Sequence, residues 1–459
     1  MEELHIGLDD FDSYNGGCTT HLATFLSYAL MVRYGAKLLD LPHLVRLNPS
    51  IPWKTRGNGA VAIHVAVPSS LVDEVVNYVV SFAKRYSQVF RGPDQEPGIA
   101  IVVGDVPRGL SGLYHLAVSD YVAIDYVLEL IRKFSGRVLV FGKRGIVGAL
   151  AALSWWLDGR DHTYELLVYR VPSSRGPRRC IDESSVLGFD ARHRDCTFNT
   201  LDYTRDDRPR ILIAPHGPDP VLYGVRGDCL GDILAALKEI RCCEPIDAWA
   251  VFRTNQGTDD HAVARRVSEL KPFRTGRVSL TIAQPPVAVP GGHVVFTACD
   301  STGCIRLAFF RQTGLNRVAS RLIPGDRISV IGSVKLWDDG LPTFHVEKLY
   351  VESLAKLCVE LPPICPICGA SMESLGRGKG YRCRRCGFRT KDVSKRRACL
   401  PRLVSRGLYA PPPSAMKHLT KPPSRIGREK LYIRRIPLDL GSPYLNVRDV
   451  EGLLQALQA

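Results

Sequence analysis

The sequence predicts a multidomain α/β protein: two α/β or α+β units, a small β-barrel and a terminal metal-bound module. Three observations carry this. Apolar strand-like runs alternate with helical spacings through residues 1–272. Short β-runs broken by Pro and Gly fill 273–355. Two Cys-x-x-Cys pairs, separated by fourteen residues, then follow. A chain of 459 residues has room for three or four such units at about 100–200 residues each. The 45% hydrophobic content is ordinary for a globular chain with a sizeable core.

The first unit spans 1–159. "LHIGLDD" is a short apolar strand ending in acids. "CTTHLATFLSYALMVRYG" carries Leu22, Phe25, Leu26, Ala29 and Leu30 at helical spacing, with Gly35 placed to end the helix. "AVAIHVAV" reads as a buried strand, and "SSLVDEVVNYVVSFAKRY" as an amphipathic helix with Ser at its N-cap. "IAIVVGD" is a further strand, and "GRVLVFGKRGIVGALAALSWWL" a strand, a basic Gly loop and a buried helix. The second unit, 160–272, places two strands around each helix ("YELLVYRV", "PDPVLYGVRGD", "CLGDILAALKEI", "AWAVFRTNQGTDDH"), which suits a ferredoxin-like sandwich. In 273–355, about five strands with a helix-like "TGLNRVASRL" before "IPGDRISVIGSV" fit an OB-fold, another small β-barrel being the alternative. Residues 356–459 hold the cysteine module and a basic, Pro-rich tail.

Lys and Arg exceed Asp and Glu by 61 − 46 = 15. Such an excess points to a polyanion, usually nucleic acid and less often an anionic membrane. Met1-Glu2-Glu3 opens acidic, so no secretory leader is expected. No apolar run of about 18 residues occurs, so a soluble cytoplasmic protein is expected. Of 14 cysteines, four form the paired motif; the other ten read as small buried apolar residues.

Cys365, Cys368, Cys383 and Cys386 supply four thiolates on two knuckles, with Gly369 and Gly387 permitting the turns. A closed tetrahedral zinc site in a ribbon is the reading, and iron the rival. Between 377 and 406 stand twelve Lys or Arg against one acid, Asp392. That imbalance suggests a phosphate-backbone grip, and Phe309, Phe310 or Trp337 could stack unpaired bases on the barrel face.

At the other end, Asp9, Asp10 and Asp12 follow a strand. Carboxylates this close repel unless neutralised, and Mg²⁺ does this while keeping sites open for phosphate oxygens. A solvated acidic loop is the bland alternative. Gly16 and Gly17 allow close backbone approach, and Cys18, Thr19 and Thr20 open a helix whose N-terminus suits phosphate. Lys54, Arg56, Gly57, Asn58 and Gly59 in "WKTRGNGA", and Lys143, Arg144 and Gly145 in "FGKRGIVGAL", supply further cations and free N–H groups for ATP. Neither a P-loop nor a dinucleotide fingerprint is present.

The ordered set "GLDDFDSYNGGCTT", "RLNPSIPWKTRGNGAV", "GKRGIVGALAAL", "DHTYELLVYR", "PDPVLYGVRGD", "FRTNQGTDDH" and "CPICG…CRRCG…APPPSAMKHLTKP" resembles the archaeal tRNA(Ile) 2-agmatinylcytidine synthetase family over nearly the whole chain. The resemblance implies an N-terminal kinase-like catalytic domain, then ferredoxin-like, OB-fold and zinc-ribbon domains. It implies an ATP-dependent ligase that joins agmatine to C2 of the wobble cytidine of an isoleucine tRNA with a CAU anticodon. AMP and pyrophosphate are released, the C2 oxygen being phosphorylated before the amine displaces it, and AUA becomes readable. By the resemblance Asp9, Asp10 and Asp12 hold metal and ATP, and Thr19, with Thr20 next in line, is the phosphorylated threonine. Phe11 departs from the family's more usual Thr. Agmatine is cationic at both ends, so Asp161, Asp228, Asp259 and Asp260 are candidates to bind it, caps or Arg partners being the alternative. No general base is identified; His216 and His261 are titratable neighbours of the motifs. Two other readings stand beside this one: a non-enzymatic OB/zinc-ribbon nucleic-acid-binding protein, and a related tRNA modifier that uses another amine.

Overall fold

The computed structural model describes residues 1–54, 57–134, 136–159, 161–174, 176, 178–204, 208–218, 220–337, 339–432, 434–449 and 452. Its N-terminal half is built on one eleven-stranded sheet. The strand Glu2–Asp9 turns Leu4, Ile6 and Leu8 into a core shared with the helices Thr19–Tyr34 and Val72–Val89. On its other face the helix Ile146–Asp158 packs so closely that a Cβ at Gly7 would lie 2.3 Å from the Ala149 carbonyl oxygen. Helices on both faces explain why these strands are apolar throughout rather than alternating. Ser69 is not the N-cap: Ser69–Leu71 forms a 3₁₀ turn, and the following helix starts from Leu71 without a side-chain cap.

The ferredoxin-like expectation holds. The strands Ile246–Thr254, Thr163–Arg170, Val221–Gly227 and Thr197–Phe198 lie in that order, the 4-1-3-2 arrangement of the sandwich. The two units share their sheet. Ile246–Thr254 pairs in parallel with His43–Arg46, Arg253 opposite His43, and the seam is sealed by a buried ion pair in which Arg253 donates twice to Asp40 at 2.9 Å.

The OB barrel closes through Thr275–Ile282, which pairs with both Arg327–Leu336 and His293–Asp300. Gly303–Phe309 runs parallel to Pro342–Ser353, with the short helix Asn316–Ala319 ahead of the fourth strand. The ribbon hangs from the barrel on a two-stranded neck, Leu357–Leu361 with Arg396–Leu400.

One expectation needs correcting. Eight of the ten scattered cysteines are joined as disulfides: Cys180–Cys243, Cys196–Cys229, Cys299–Cys304 and Cys358–Cys399. Partners lie from 5 to 63 residues apart in the chain. The basic, Pro-rich tail packs on the rest of the chain. Residues 410–449 run back over the N-terminal half, where Arg425 is 1% exposed between Asp161 and Asp228 and the strand Leu445–Val447 extends the large sheet.

Candidate active site

The strand Glu2–Asp9 delivers three carboxylates to the mouth of a cavity of about 740 Å³. Asp10 sits in the left-handed region at φ 62° and accepts the Glu96 N–H at 2.7 Å. Asp12 accepts the Thr19 N–H at 2.8 Å and the Thr19 hydroxyl at 3.3 Å. Asp9 accepts the Asp10 N–H at 2.8 Å and lies against Gly148, where a Cβ would stand 2.0 Å from its Oδ2. Burial, and then the charges of Asp10 and Asp12, push the Asp9 carboxyl well above the usual carboxylate range. The three carboxylates line one cavity, and the burial and mutual repulsion that disfavour charge on Asp9 are what a hard divalent cation bound among them would relieve.

Asp9, Asp10, Asp12, Thr19, Lys54, Asn58, Gly59, Lys143, Arg144 and Gly145 all line this cavity. The Arg144 guanidinium lies 4.4 Å from the Trp53 ring centroid and 5.6 Å from that of Tyr121, a cation–π arrangement at the rim. Burial and the charges of Lys335 and Lys417 push Lys54 below its ordinary value. Gly16 and Gly17 line no described cavity. They close a turn in which Ser13 N–H donates to Gly17 O at 3.1 Å, and a Cβ at Gly17 would press 2.7 Å from Phe90 Cβ. Arg56 lies outside the described residues.

A second cavity of about 420 Å³ shares part of its lining with the first. Asp12, Thr19 and Gly59 line both; Thr20 and Gly57 line only the second. His216 also lines it, together with Arg46, Glu165, Arg226 and His418, four residues that the sequence reading passed over. Glu165 is 1% exposed, takes Arg226 Nε at 2.8 Å, and stays below its ordinary value through Arg226 and Arg46 despite burial. Its only sequence signal is a charge inside the apolar run "YELLVY".

The four acids named for agmatine lie outside both linings and hold protein groups instead. Asp161 and Asp228 bind Arg425, and Lys430 reaches Asp228 at 3.2 Å. Asp259 pairs with Lys348, and Asp260 accepts the Tyr114 hydroxyl. His261 is buried against Glu347 at 3.0 Å.

In the ribbon, Sγ of Cys365 and Cys386 are 3.5 Å apart and those of Cys368 and Cys383 3.4 Å, all four within 4.8 Å of one another. Gly369 and Gly387 take φ of 70° and 76°, the left-handed turn each knuckle needs. Four thiolates converging this way fit zinc. On the barrel, Phe309 is core and unavailable for stacking; Phe310 and Trp337 are partly exposed, stacked at 5.9 Å, with Arg306 over Trp337 at 5.6 Å. Among the described residues no helix is long and apolar enough to cross a membrane.

Comparison with known proteins gives a consistent result. The chain matches the TiaS TCKD domain at 5–141, the TiaS FLD domain at 143–261, an OB-fold nucleic acid binding domain at 276–352 and the TiaS C-terminal zinc ribbon domain at 362–404. It is 45% identical to TiaS of Ignisphaera aggregans, the 2-agmatinylcytidine synthetase of the isoleucine-2 tRNA, over 95% of this chain and 96% of that one. Identity to the Pyrococcus horikoshii protein of the same name is 39%, over 91% and 96%. Among solved structures, a complex of TiaS with the isoleucine-2 tRNA and ATP superposes with a TM-score of 0.81 at 34% identity, covering 92% of this chain and 97% of that one. A complex of TiaS with the same tRNA, AMPCPP and agmatine gives 0.78 at 32%, with the same coverage.

Proposed function

Because the chain belongs to the TiaS family of isoleucine tRNA 2-agmatinylcytidine synthetases, we propose that it uses ATP to join agmatine to C2 of the wobble cytidine of the isoleucine tRNA with a CAU anticodon. ATP is split, the phosphoryl group it transfers carries off the C2 oxygen as phosphate, and the modified tRNA reads AUA. One observation carries the assignment of the site: Asp12, Thr19 and Gly59 form a wall common to two cavities. ATP occupies the first cavity and the cytidine and amine the second, so the phosphoryl group crosses at Thr19.

Lys54, Lys143 and Arg144 spread the triphosphate charge. Asp9, Asp10 and Asp12 would hold a divalent cation, which supplies charge neutralisation for the transferring phosphoryl group. Asp12 accepts the Thr19 hydroxyl proton in its hydrogen bond and so orients the oxygen at the wall. Thr20 faces only the second cavity, and its hydroxyl lies 3.0 Å from Cys18 Sγ. That favours Thr19 as the residue that carries phosphate. Asp12 and Glu165 are the carboxylates lining the second cavity; Glu165 is shared with Arg226 and Arg46, which leaves Asp12 as the carboxylate nearest the transfer point for the amine. Cys365, Cys368, Cys383 and Cys386 would hold a structural zinc, and the basic ribbon with the Phe310–Trp337 face engages the tRNA. The enzyme works in the cytoplasm, where its tRNA substrate is.

The test is mass spectrometry of nucleosides from this tRNA after incubation with the full chain, ATP, Mg²⁺ and agmatine, with lysine as competitor. An agmatine-sized gain at the wobble cytidine is expected, unchanged by lysine. A lysine adduct would reassign the amine, and no gain with tRNA still bound would leave only the nucleic-acid-binding reading.

A further inference from the structure

We propose that His418 is the group that takes the proton from the attacking amine, with Gln256 and Glu165 as positioning residues that fix its tautomer. This rests on the assignment of the second cavity to the amine.

His418 enters that cavity from the returning tail, anchored where Gly257 N–H donates to the His418 carbonyl at 2.8 Å and Asp259 N–H to that of Leu419 at 2.8 Å. Its Nδ1 stands 3.0 Å from Gln256 Oε1, and Gln256 Nε2 donates to Glu165 Oε2. These contacts determine where the imidazole hydrogen is. A carboxylate ion only accepts, so Gln256 must turn its amide NH₂ to Glu165 and its carbonyl to the histidine. A carbonyl also only accepts, so Nδ1 carries the hydrogen. A neutral imidazole has a single N–H, so Nε2 is left with a lone pair. That nitrogen faces Gly57: a Cβ there would lie 2.9 Å from Nε2 and 2.9 Å from Arg46 Nη1, so glycine keeps open the space between them.

The charged groups around the ring are Arg46 from the strand His43–Arg46, Arg226 from Val221–Gly227, Lys54 from the loop between His43–Arg46 and Gly59–Val67, and Glu165 behind Gln256. The three cations, Arg46 foremost, and burial hold the imidazole well below its ordinary value. The ring therefore meets the amine unprotonated. In the step itself the amine nitrogen bonds to C2 and the C2–O bond to the phosphoryl group breaks, its electron pair leaving with phosphate. The nitrogen, cationic on addition, gives one proton to Nε2. The imidazolium so formed forfeits little to the neighbouring cations, because the departing phosphate anion offsets them.

The experiment is steady-state amine transfer by the full chain and by H418A and Q256L variants. Agmatine and hydroxylamine serve as nucleophiles, with and without added imidazole. H418A is expected to lose about 100-fold or more in kcat with agmatine, the scale of a general base. ATP and tRNA affinities should stay unchanged. The loss should be smaller with hydroxylamine, whose adduct is acidic enough to shed its proton to water, and imidazole should restore part of the agmatine rate. Q256L, which keeps the imidazole but frees its tautomer, should lose about 10-fold in kcat with little change in KM. H418A activity within about threefold of the unaltered chain would overturn the proposal. So would equal losses with both nucleophiles and no imidazole rescue, which would mark His418 as structural. If the unaltered chain transfers no amine at all, the function assigned above fails, and that outcome is separate from either of these.

Discussion

The wall at Thr19 and the zinc ribbon obtain their order in opposite ways. The wall of Asp12, Thr19 and Gly59, with Glu165 and His418 facing it, draws on widely separated stretches of the chain and stands on an eleven-stranded sheet. The ribbon is contiguous, and its core is little more than Cys365, Met372 and Cys383, with Cys368, Ala370, Tyr381, Phe388 and Val393 packed against it. So small a core folds only with a metal to close it. Chemistry is therefore invested in the sheet and grip in the ribbon, and the two should fail independently.

The largest expected effect separates them directly. Asp12→Asn removes the acceptor of the Thr19 hydroxyl and one carboxylate of the cation site. Turnover should fall about 10³-fold with tRNA Kd unchanged, as measured by single-turnover kinetics and filter binding. Weakened tRNA binding would show that wall and grip are coupled.

Next comes acid. His5 is fully buried, its Nδ1 2.7 Å from His64 Nδ1, and His64 Nε2 is 3.3 Å from His43 Nδ1. Burial, then Arg435, pushes His5 down to about 4 from 6.5. A base depressed in the folded state contributes stability that is present above pH 6.5 and lost as pH falls toward 4, because the unfolded chain binds the proton first. About 2 kcal/mol should go from His5 alone by pH 4.5, read as a lower urea midpoint there than at pH 7. A flat midpoint would mean that the histidines are not held neutral.

Zinc removal should act on the ribbon alone. Chelation or Cys383→Ser should weaken tRNA binding by about 10–100-fold and leave ATP binding intact, checked by titration of each ligand. The smallest effect sharpens the grip. Arg382 and Arg389 are exposed and directly opposite on paired strands, an unfavourable pairing unless a polyanion lies between them. Replacing either with Ala should lower the slope of log affinity against log salt by about one.

The same contrast governs what the sequence discloses. Cys-x-x-Cys spacing and glycines at left-handed knuckles are local, so the ribbon was legible from Cys365 to Gly387. The acids, Thr19 and the Lys143–Gly145 loop were legible too, because each motif lies beside a strand end. Residues recruited over long separations were not. His418 and Arg425 belong to a Pro-rich, basic tail that looks like a solvated arm, yet burial of Arg425 depends on Asp161 and Asp228, some 264 and 197 residues away. Asp161, Asp228 and Asp259, named for agmatine, show the same difficulty: their partners Arg425 and Lys348 lie far off in the chain and are not visible from the motifs. The parallel pairing of Arg253 with His43, which fuses two expected domains into one sheet, leaves no local mark.

The most direct measurement compares Thr19→Ala with Thr20→Ala in agmatine transfer to the wobble cytidine, read by nucleoside mass spectrometry. The two hydroxyls are neighbours on one helix, but of the two only Thr19 touches both cavities. The expected result is loss of product in Thr19→Ala and retention in Thr20→Ala. Product from Thr19→Ala with none from Thr20→Ala would contradict a transfer that crosses the shared wall at Thr19.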